Sequence, residues 1–414
     1  MAHMMPPSHS PIATPLDPSA KAARAWPRSS EAAVVYMRLL RAAVRRVLLG
    51  NGSELRALAP DLAGAARTDR LWAEQLYWSH RSPLLIAHQL LDALDAGELC
   101  LPLPFSSRLR SLAAAGRRRN AQLTRECTSV MRVLGTPATA LKGAWLVAGD
   151  IYPEQSRLFG DLDFAVTPDM SRHAVVAALR EAGHEYRDMS KRDHLAFQRV
   201  VPEMRLYDGL PALREPIANF GPHFARMQRT FFVEVHYDLD ASGALRYPFF
   251  FGGEDGSDAA RHLLLLCHHL CKHEFAHTIG VVDIALLSRS PMVDWRRLGD
   301  LCGRFGATDI CAAAFGIVEH CFGSDILPGG ARAFRARMGF ARGAGLGWAP
   351  ALDARPTRRG RWLSVRLNRS PRAAYRSALK ALSPHIPRDF PLRRAHRQLV
   401  TNRTRRRNAR YTDA

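Results

Sequence analysis

Long apolar runs are missing from this chain. No uninterrupted apolar stretch of 18 residues occurs among its 414, so the sequence predicts no membrane-crossing helix. The opening, MAHMMPPSHSPIATPLDPSA, is rich in Pro and Ser and holds no apolar signal core. Residues 1–28 are therefore expected to form a disordered leader, and the protein is expected in the cytoplasm. A cysteine framework is also missing. Cys100, Cys127, Cys267, Cys271, Cys302, Cys311 and Cys321 are odd in number and irregular in spacing, which argues against a disulfide-stapled scaffold and predicts buried thiols. Acidic residues are scarce in one segment only. Residues 331–414 carry 22 Lys and Arg against three Asp, a net +19 of the total +21. The other 330 residues are nearly neutral, with 37 basic and 35 acidic side chains, so the basic character belongs to the tail.

What is present is enough apolar material, 47% of the chain, for two or three packed units. The most informative stretch is residues 138–166, ATALKGAWLVAGDIYPEQSRLFGDLDFAV. It reads as strand, tight turn, helix, loop, strand. Asp161-Leu162-Asp163 precedes the apolar run Phe164-Ala165-Val166. In a strand, residues i and i+2 share a face, about 7 Å apart, so both carboxylates point one way while Leu162 and Phe164 point into the core. Two carboxylates this close repel and call for a cation, for which Mg²⁺ is well suited. The bland alternative is an edge strand with solvated acids. Upstream, Thr139-Ala140-Leu141-Lys142-Gly143-Ala144 reads as a strand ending at a glycine turn. A Gly there lets backbone approach a phosphate, and the following helix begins with free N–H groups. Lys142 and Arg157 are candidate cationic donors to the same phosphates.

The pattern L-K-G-A, Y-P, R, G-D-L-D-F-A-V resembles the uncharacterised nucleotidyltransferase family of the DNA polymerase β-like nucleotidyltransferase superfamily. The resemblance runs from residue 138 and extends, more weakly, to about residue 287. It implies an α+β fold, a small mixed β-sheet nucleotidyltransferase core with helical N-terminal and C-terminal parts. It also implies an NTP substrate, Mg²⁺ or Mn²⁺, and a third carboxylate on a later strand. Gly143 and Ala144 fill the turn where the superfamily has Gly-Ser, and K-G commonly replaces G-S in this branch. Sixteen residues separate Ala144 from Asp161, more than the usual spacing.

Downstream, residues 231–239 alternate. Phe232, Glu234, His236 and Asp238 share one face, and Val233, Val235, Tyr237 and Leu239 the other. Glu234, between valines, is costly to bury without a partner and is the candidate third carboxylate. Asp238 is its rival. The resemblance supports Glu234, because E-V-H is similar to the family's acid-x-His strand. His236 either orients a neighbour or is a hydrogen-bonded core histidine. Residues 258–273, DAARHLLLLCHHLCKH, read as a buried helix. His269 and His273, and likewise Cys267 and Cys271, are four apart; they are ligand types for zinc, but no paired C-x-x-C or H-E-x-x-H completes a motif. A similar H…K-H stretch in the family instead implies Lys272 reaching a triphosphate, with His273 bonding nearby. Asp283, in GVVDIALL, has a packing role and a catalytic role equally open.

Elsewhere, helices are expected over residues 30–49, 71–94 (one or two, interrupted near Ser82-Pro83), 106–134, 170–182, 295–305 and 308–320, a strand over about 195–201, and a loop over 207–221. Arg117-Arg118-Arg119 reads as a solvated face, or less plainly as a contact for an acidic substrate. In the tail, Arg358-Arg359-Gly360-Arg361-Trp362 and Thr404-Arg405-Arg406-Arg407, with Trp348 and Tyr375, suit RNA or another polyanion; the alternative is a loose Arg-rich tail. The organisation expected is a leader (1–28), a helical N-terminal part (29–135), a nucleotidyltransferase core (136–255), a helical C-terminal unit (256–330) and the basic tail (331–414). Asp161, Asp163 and Glu234 are the expected catalytic and metal-binding set, and Lys142, Gly143, Ala144, Arg157 and Lys272 the expected nucleotide-binding set. The expected activity is metal-dependent transfer of a nucleoside monophosphate to a hydroxyl on a small molecule, peptide, tRNA or protein. The alternatives are a noncatalytic nucleotidyltransferase-like module that binds nucleotide or a partner protein, which the missing turn Ser favours and the intact D-x-D opposes, and an RNA-binding protein acting through its tail.

Overall fold

The computed structural model describes residues 30–60, 83–101, 103–135, 138–153, 156–157, 159, 161–187, 194–201, 229–240, 244–247, 249, 258–275, 277–337 and 367. The expected leader, the 207–221 loop and nearly all of the basic tail lie outside these residues. In chain order the helices and strands are α1 (Ser30–Leu49), α2 (Ser53–Ala57), α3 (Pro83–Asp95), α4 (Leu103–Leu134), β1 (Thr139–Ala140), α5 (Lys142–Ala148), β2 (Asp161–Ala165), α6 (Arg172–Glu181), β3 (Glu185–Arg187), β4 (His194–Val200), β5 (Thr230–His236), α7 (Ala259–Lys272), α8 (Thr278–Ser288), α9 (Trp295–Phe305), α10 (Thr308–Phe322) and α11 (Gly329–Arg337). Among the described residues, no helix is long and apolar enough to cross a membrane.

The boundaries follow local chemistry. Ser171 caps α6 by accepting from the Ala174 N–H, and Asp258 caps α7 by accepting from the Arg261 N–H. Asp294 caps α9 through the N–H groups of Arg296 and Arg297, and Gly306 ends that helix in the left-handed region, φ 66°.

Among the described residues, five strands form one mixed sheet in the order β1-β2-β5-β4-β3. β2 and β5 run parallel, and the other neighbours are antiparallel. This is the α+β architecture that the family resemblance implied. One sheet face is apolar: Leu162, Phe164, Leu195, Phe197, Val233 and Val235 are buried against Leu123, Val130 and Leu134 of α4 and Val175, Val176 and Leu179 of α6. A second core unites the N-terminal and C-terminal helices, with Leu39 and Leu40 of α1, Ile86 of α3, Leu264 of α7, Ile284 of α8 and Phe315 of α10 all buried in it. The two helical regions, far apart in sequence, thus pack together beside the sheet.

Candidate active site

Period-two geometry decides which side chains meet. In the β2–β5 register Asp163 lies beside Glu234, Asp161 beside Phe232 and Ala165 beside His236. In the β4–β5 register His194 lies opposite His236, and Ala196 opposite Glu234. Asp161, Asp163, Glu234, His236 and His194 therefore share the sheet face that turns away from the α4–α6 core. A slip of one residue would drive the carboxylates into that core and expose Leu162, Phe164 and Val233, so burial specifies the register.

Lys142 enters this face from the first position of α5. Its φ of 49° puts it in the left-handed region, uncommon for a residue with a side chain, and its Nζ donates to Asp163 Oδ1 at 2.6 Å. Burial opposes the charge of the amine, but Asp163, Asp161 and Glu234 outweigh it and hold the Lys142 pKa above its ordinary value. Asp163 is 2% exposed. Burial acts to raise its pKa, yet Lys142 and His236 outweigh burial and hold the carboxyl far below the usual carboxylate range. His236 Nε2 lies 2.9 Å from Asp163 Oδ1. Its own pKa is lowered, first by burial and then by Lys142, although Asp163 pulls the other way. The consistent state is an ion pair of Lys142 and Asp163, with a neutral imidazole donating to the same carboxylate. Glu234 Oε2 lies 3.6 Å from His236 Nε2 and 3.7 Å from His194 Nε2.

Gly143 follows Lys142. A Cβ there would collide with Arg157 Nη1 and would come within 2.6 Å of Phe159 Cβ. A glycine here is expected to let a phosphate approach the backbone. The observed approach is made by the protein's own Arg157 and Phe159. Ala144, at the usual Ser position, is buried in the sheet core.

Arg157 was expected among the phosphate donors, and the fold engages it otherwise. It is 2% exposed, and its Nε and Nη2 donate to the Asp283 oxygens at 2.7 and 2.8 Å. Tyr152 donates its hydroxyl to the same carboxylate at 2.6 Å. Burial disfavours the guanidinium charge, but Asp283 outweighs it and raises the pKa. Asp283, left open between packing and catalysis, thus anchors the segment before β2 to α8. The segment is held from α4 as well: Asn120 donates to the Arg157 carbonyl at 2.9 Å, and Arg119 donates to the Phe159 carbonyl at 3.1 and 3.2 Å. Of the three consecutive arginines, Arg117 and Arg118 are exposed, and Arg119 serves this anchoring contact.

The end of α7 faces the same region. Lys272 and His273 are exposed there, and His269 is half-buried. The His269 pKa is held well below its ordinary value by burial and then by Lys142, His273, His277 and Lys272. Cys267 and Cys271 are buried in the helical core, and the four-residue zinc set considered on α7 does not converge: among the described residues the ligand group is His194, Glu234 and His236. Asp238, the rival third acid, accepts from the Asp240 N–H at 2.9 Å and shapes the turn after β5. Tyr152 belongs to the Y-P element of the motif, but its partner Asp283 is not written there, and His194 carries no signal at all. His194 stands at the head of the apolar 195–201 run without a motif around it, and no local pattern announces that it will face β5.

A family model described as an uncharacterised nucleotidyltransferase matches residues 71–323. The match is wider than the 138–287 carried by the motifs, and it takes in helices from both flanking regions. No curated protein and no solved structure matches the chain.

Proposed function

The chain belongs to the uncharacterised nucleotidyltransferase family, and from that premise we propose that it transfers a nucleoside monophosphate from an NTP to a hydroxyl-type acceptor, with Mg²⁺ or Mn²⁺. The observation that supports this reading is the strand register, which sets Asp163 beside Glu234 and turns Asp161 to the same face. The donor set fits a hard divalent ion, because carboxylate oxygens are the ligands such an ion takes and the three acids outnumber the one half-buried ammonium of Lys142. Asp161, Asp163 and Glu234 would hold the ion, which when bound neutralises charge on the α-phosphate and the leaving pyrophosphate.

The remaining roles belong to the chain itself. Lys142 keeps Asp163 ionised and offers an ammonium at the mouth of the acidic face. The backbone of Gly143 and Ala144 is the proposed seat of the phosphates, with Lys272 a further cation at the rim. Arg157 acts from behind, bracing the Gly143 turn through its pair with Asp283. Glu234 accepts the proton of the attacking hydroxyl, which must lie in line with the leaving group. The acceptor class spans small molecules, peptides, tRNA and protein hydroxyls. Seven free thiols support a reducing compartment, the cytoplasm. We assign to the tail a contact with RNA or another polyanion.

The test is incubation of the protein with each labelled NTP, Mg²⁺ or Mn²⁺ and a cell extract, followed by identification of the labelled component. Asp161→Asn and Asp163→Asn are each expected to cut transfer at least ~100-fold with the fold intact by circular dichroism. Wild-type transfer in either variant rejects the mechanism. The Lys142–Asp163 pair, together with Ala144 in place of a hydroxyl residue, favours one second reading: a noncatalytic nucleotide-binding module. Its signature is NTP binding by calorimetry with no label transferred.

A further inference from the structure

Two imidazoles on the acidic face take no part in the transfer chemistry above. His194 and His236 flank Glu234 from adjacent strands, with their ring centroids 4.9 Å apart. One ligand atom from each of the three residues lies within 4.8 Å of the other two. Bonds of about 2.1 Å to one ion set neighbouring ligand atoms about 3.0 Å apart in octahedral geometry and about 3.4 Å apart in tetrahedral geometry. The Glu234 oxygen lies 3.7 and 3.6 Å from the two Nε2 atoms, a few tenths of an ångström beyond that range. To bind an ion, His236 Nε2 gives up its hydrogen bond to Asp163 Oδ1, which keeps its Lys142 partner.

We propose that His194, Glu234 and His236 form a binding site for a borderline transition-metal dication of the Zn²⁺ class. Imidazole paired with carboxylate suits Zn²⁺ and its neighbours, whereas Mg²⁺ prefers an all-oxygen shell and gives up water reluctantly. The site is preorganised by the sheet. His194 and His236 are direct partners across the β4–β5 ladder, and the residue opposite Glu234 is the small Ala196, which leaves the carboxylate room between the rings. Both histidines are buried, at 5% and 4% exposure. Ligands carried by adjacent paired strands are placed more exactly than ligands on loops. The site shares Glu234 with the carboxylate set assigned to transfer above, so the two ions compete for that side chain; a noncatalytic module would hold the Zn²⁺-class ion equally well.

The full-length protein, stripped with a chelator, is titrated with Co²⁺ alone and followed by visible absorption, then by competition with Zn²⁺ and Mg²⁺. One equivalent of Co²⁺ is expected, displaced by Zn²⁺ and not by millimolar Mg²⁺. His194→Gln and the near-isosteric Glu234→Gln are each expected to weaken Co²⁺ binding at least ~10-fold. Matching circular dichroism and melting of the stripped proteins separate lost ligands from lost fold, and Glu234→Gln carries the test if His194→Gln does not fold. Asp161→Asn should retain Co²⁺ binding while losing transfer, so the two readings fail separately. The proposal is overturned if Co²⁺ does not bind, if Mg²⁺ competes as well as Zn²⁺, or if both ligand substitutions leave the affinity unchanged. It is also overturned if His273→Ala, rather than the strand variants, removes binding. The Nε2 atoms of His269 and His273 lie 3.2 Å apart at the end of α7 and would then be the site.

Discussion

Lys142 and Gly143 show how much one turn demands of its residues. Lys142 occupies a backbone region that costs a side-chain-bearing residue roughly 1–3 kcal/mol, and its contact with Asp163 over-determines that conformation. Gly143 must lack a Cβ because Arg157 and Phe159 fill the space. Gly143→Ala is therefore expected to destabilise the protein by about 1–3 kcal/mol through overpacking. The check is a urea titration, in which the midpoint should fall with the slope unchanged. The sequence identified this turn but not its reason. A glycine before a helix is legible, whereas the arginine that returns to cover it is fourteen residues away and marked by nothing local.

At the scale of elements, the segment between α5 and β2 is fastened to α8 by one buried ion pair. Truncating Asp283 strands the Arg157 guanidinium and the Tyr152 hydroxyl in the interior. Asp283→Ala is expected to cost about 3–5 kcal/mol. The double variant Arg157→Met/Asp283→Leu is expected to recover much of that loss, because it leaves no uncompensated charge; equal denaturation midpoints for the single and double variants would contradict this account. A second tie joins α4 to the far edge of the sheet. Glu126 lies 3.2 Å from His184 Nε2 and 3.2 Å from Arg199 Nη1. Burial acts to raise the Glu126 pKa, but His184 and Arg199 outweigh it and lower the value. A lowered carboxyl pKa contributes stability above the unfolded value, about 4.3, and that stability is lost as pH falls through the folded value. Glu126→Gln is thus expected to flatten the dependence of Tm on pH below about pH 4.5, measured by thermal melts across the acid range. Long amphipathic helices such as α1 and α9 were legible end to end, because apolar spacing and caps sit in the local sequence. The two-residue β1 and three-residue β3 are too short to show a period, and β3 was not anticipated.

For the whole molecule, charge is spread unevenly along the chain, while the helical core draws on both of its parts. The body is nearly neutral and carries the sheet, the acidic face and most of the two apolar cores; Ala331, Phe334 and Leu367 of the basic segment are buried in the second. Removing residues 351–414 takes away 18 basic and three acidic side chains and lowers the formal charge from +21 to +6. If the tail makes the proposed polyanion contact, full-length protein should bind single-stranded RNA with an affinity that falls steeply with salt, and the truncated protein should lose both the affinity and most of the slope. Filter binding at several salt concentrations decides it, and unchanged binding by the truncated protein ends the assignment. The family match over residues 71–323 extends across both helical regions and the sheet, in keeping with the core they share.

The amino-acid order alone settled the D-x-D strand, the alternating Glu234 strand, the glycine turn and the uneven charge, because each is written within a few neighbouring residues. Tertiary structure decided the partnerships: Lys142 with Asp163, Arg157 with Asp283, and His194 and His236 around Glu234. Those pairs join residues two to 126 positions apart. Most of them exist because strand register and helix packing bring distant backbones together, and no local periodicity encodes such a meeting.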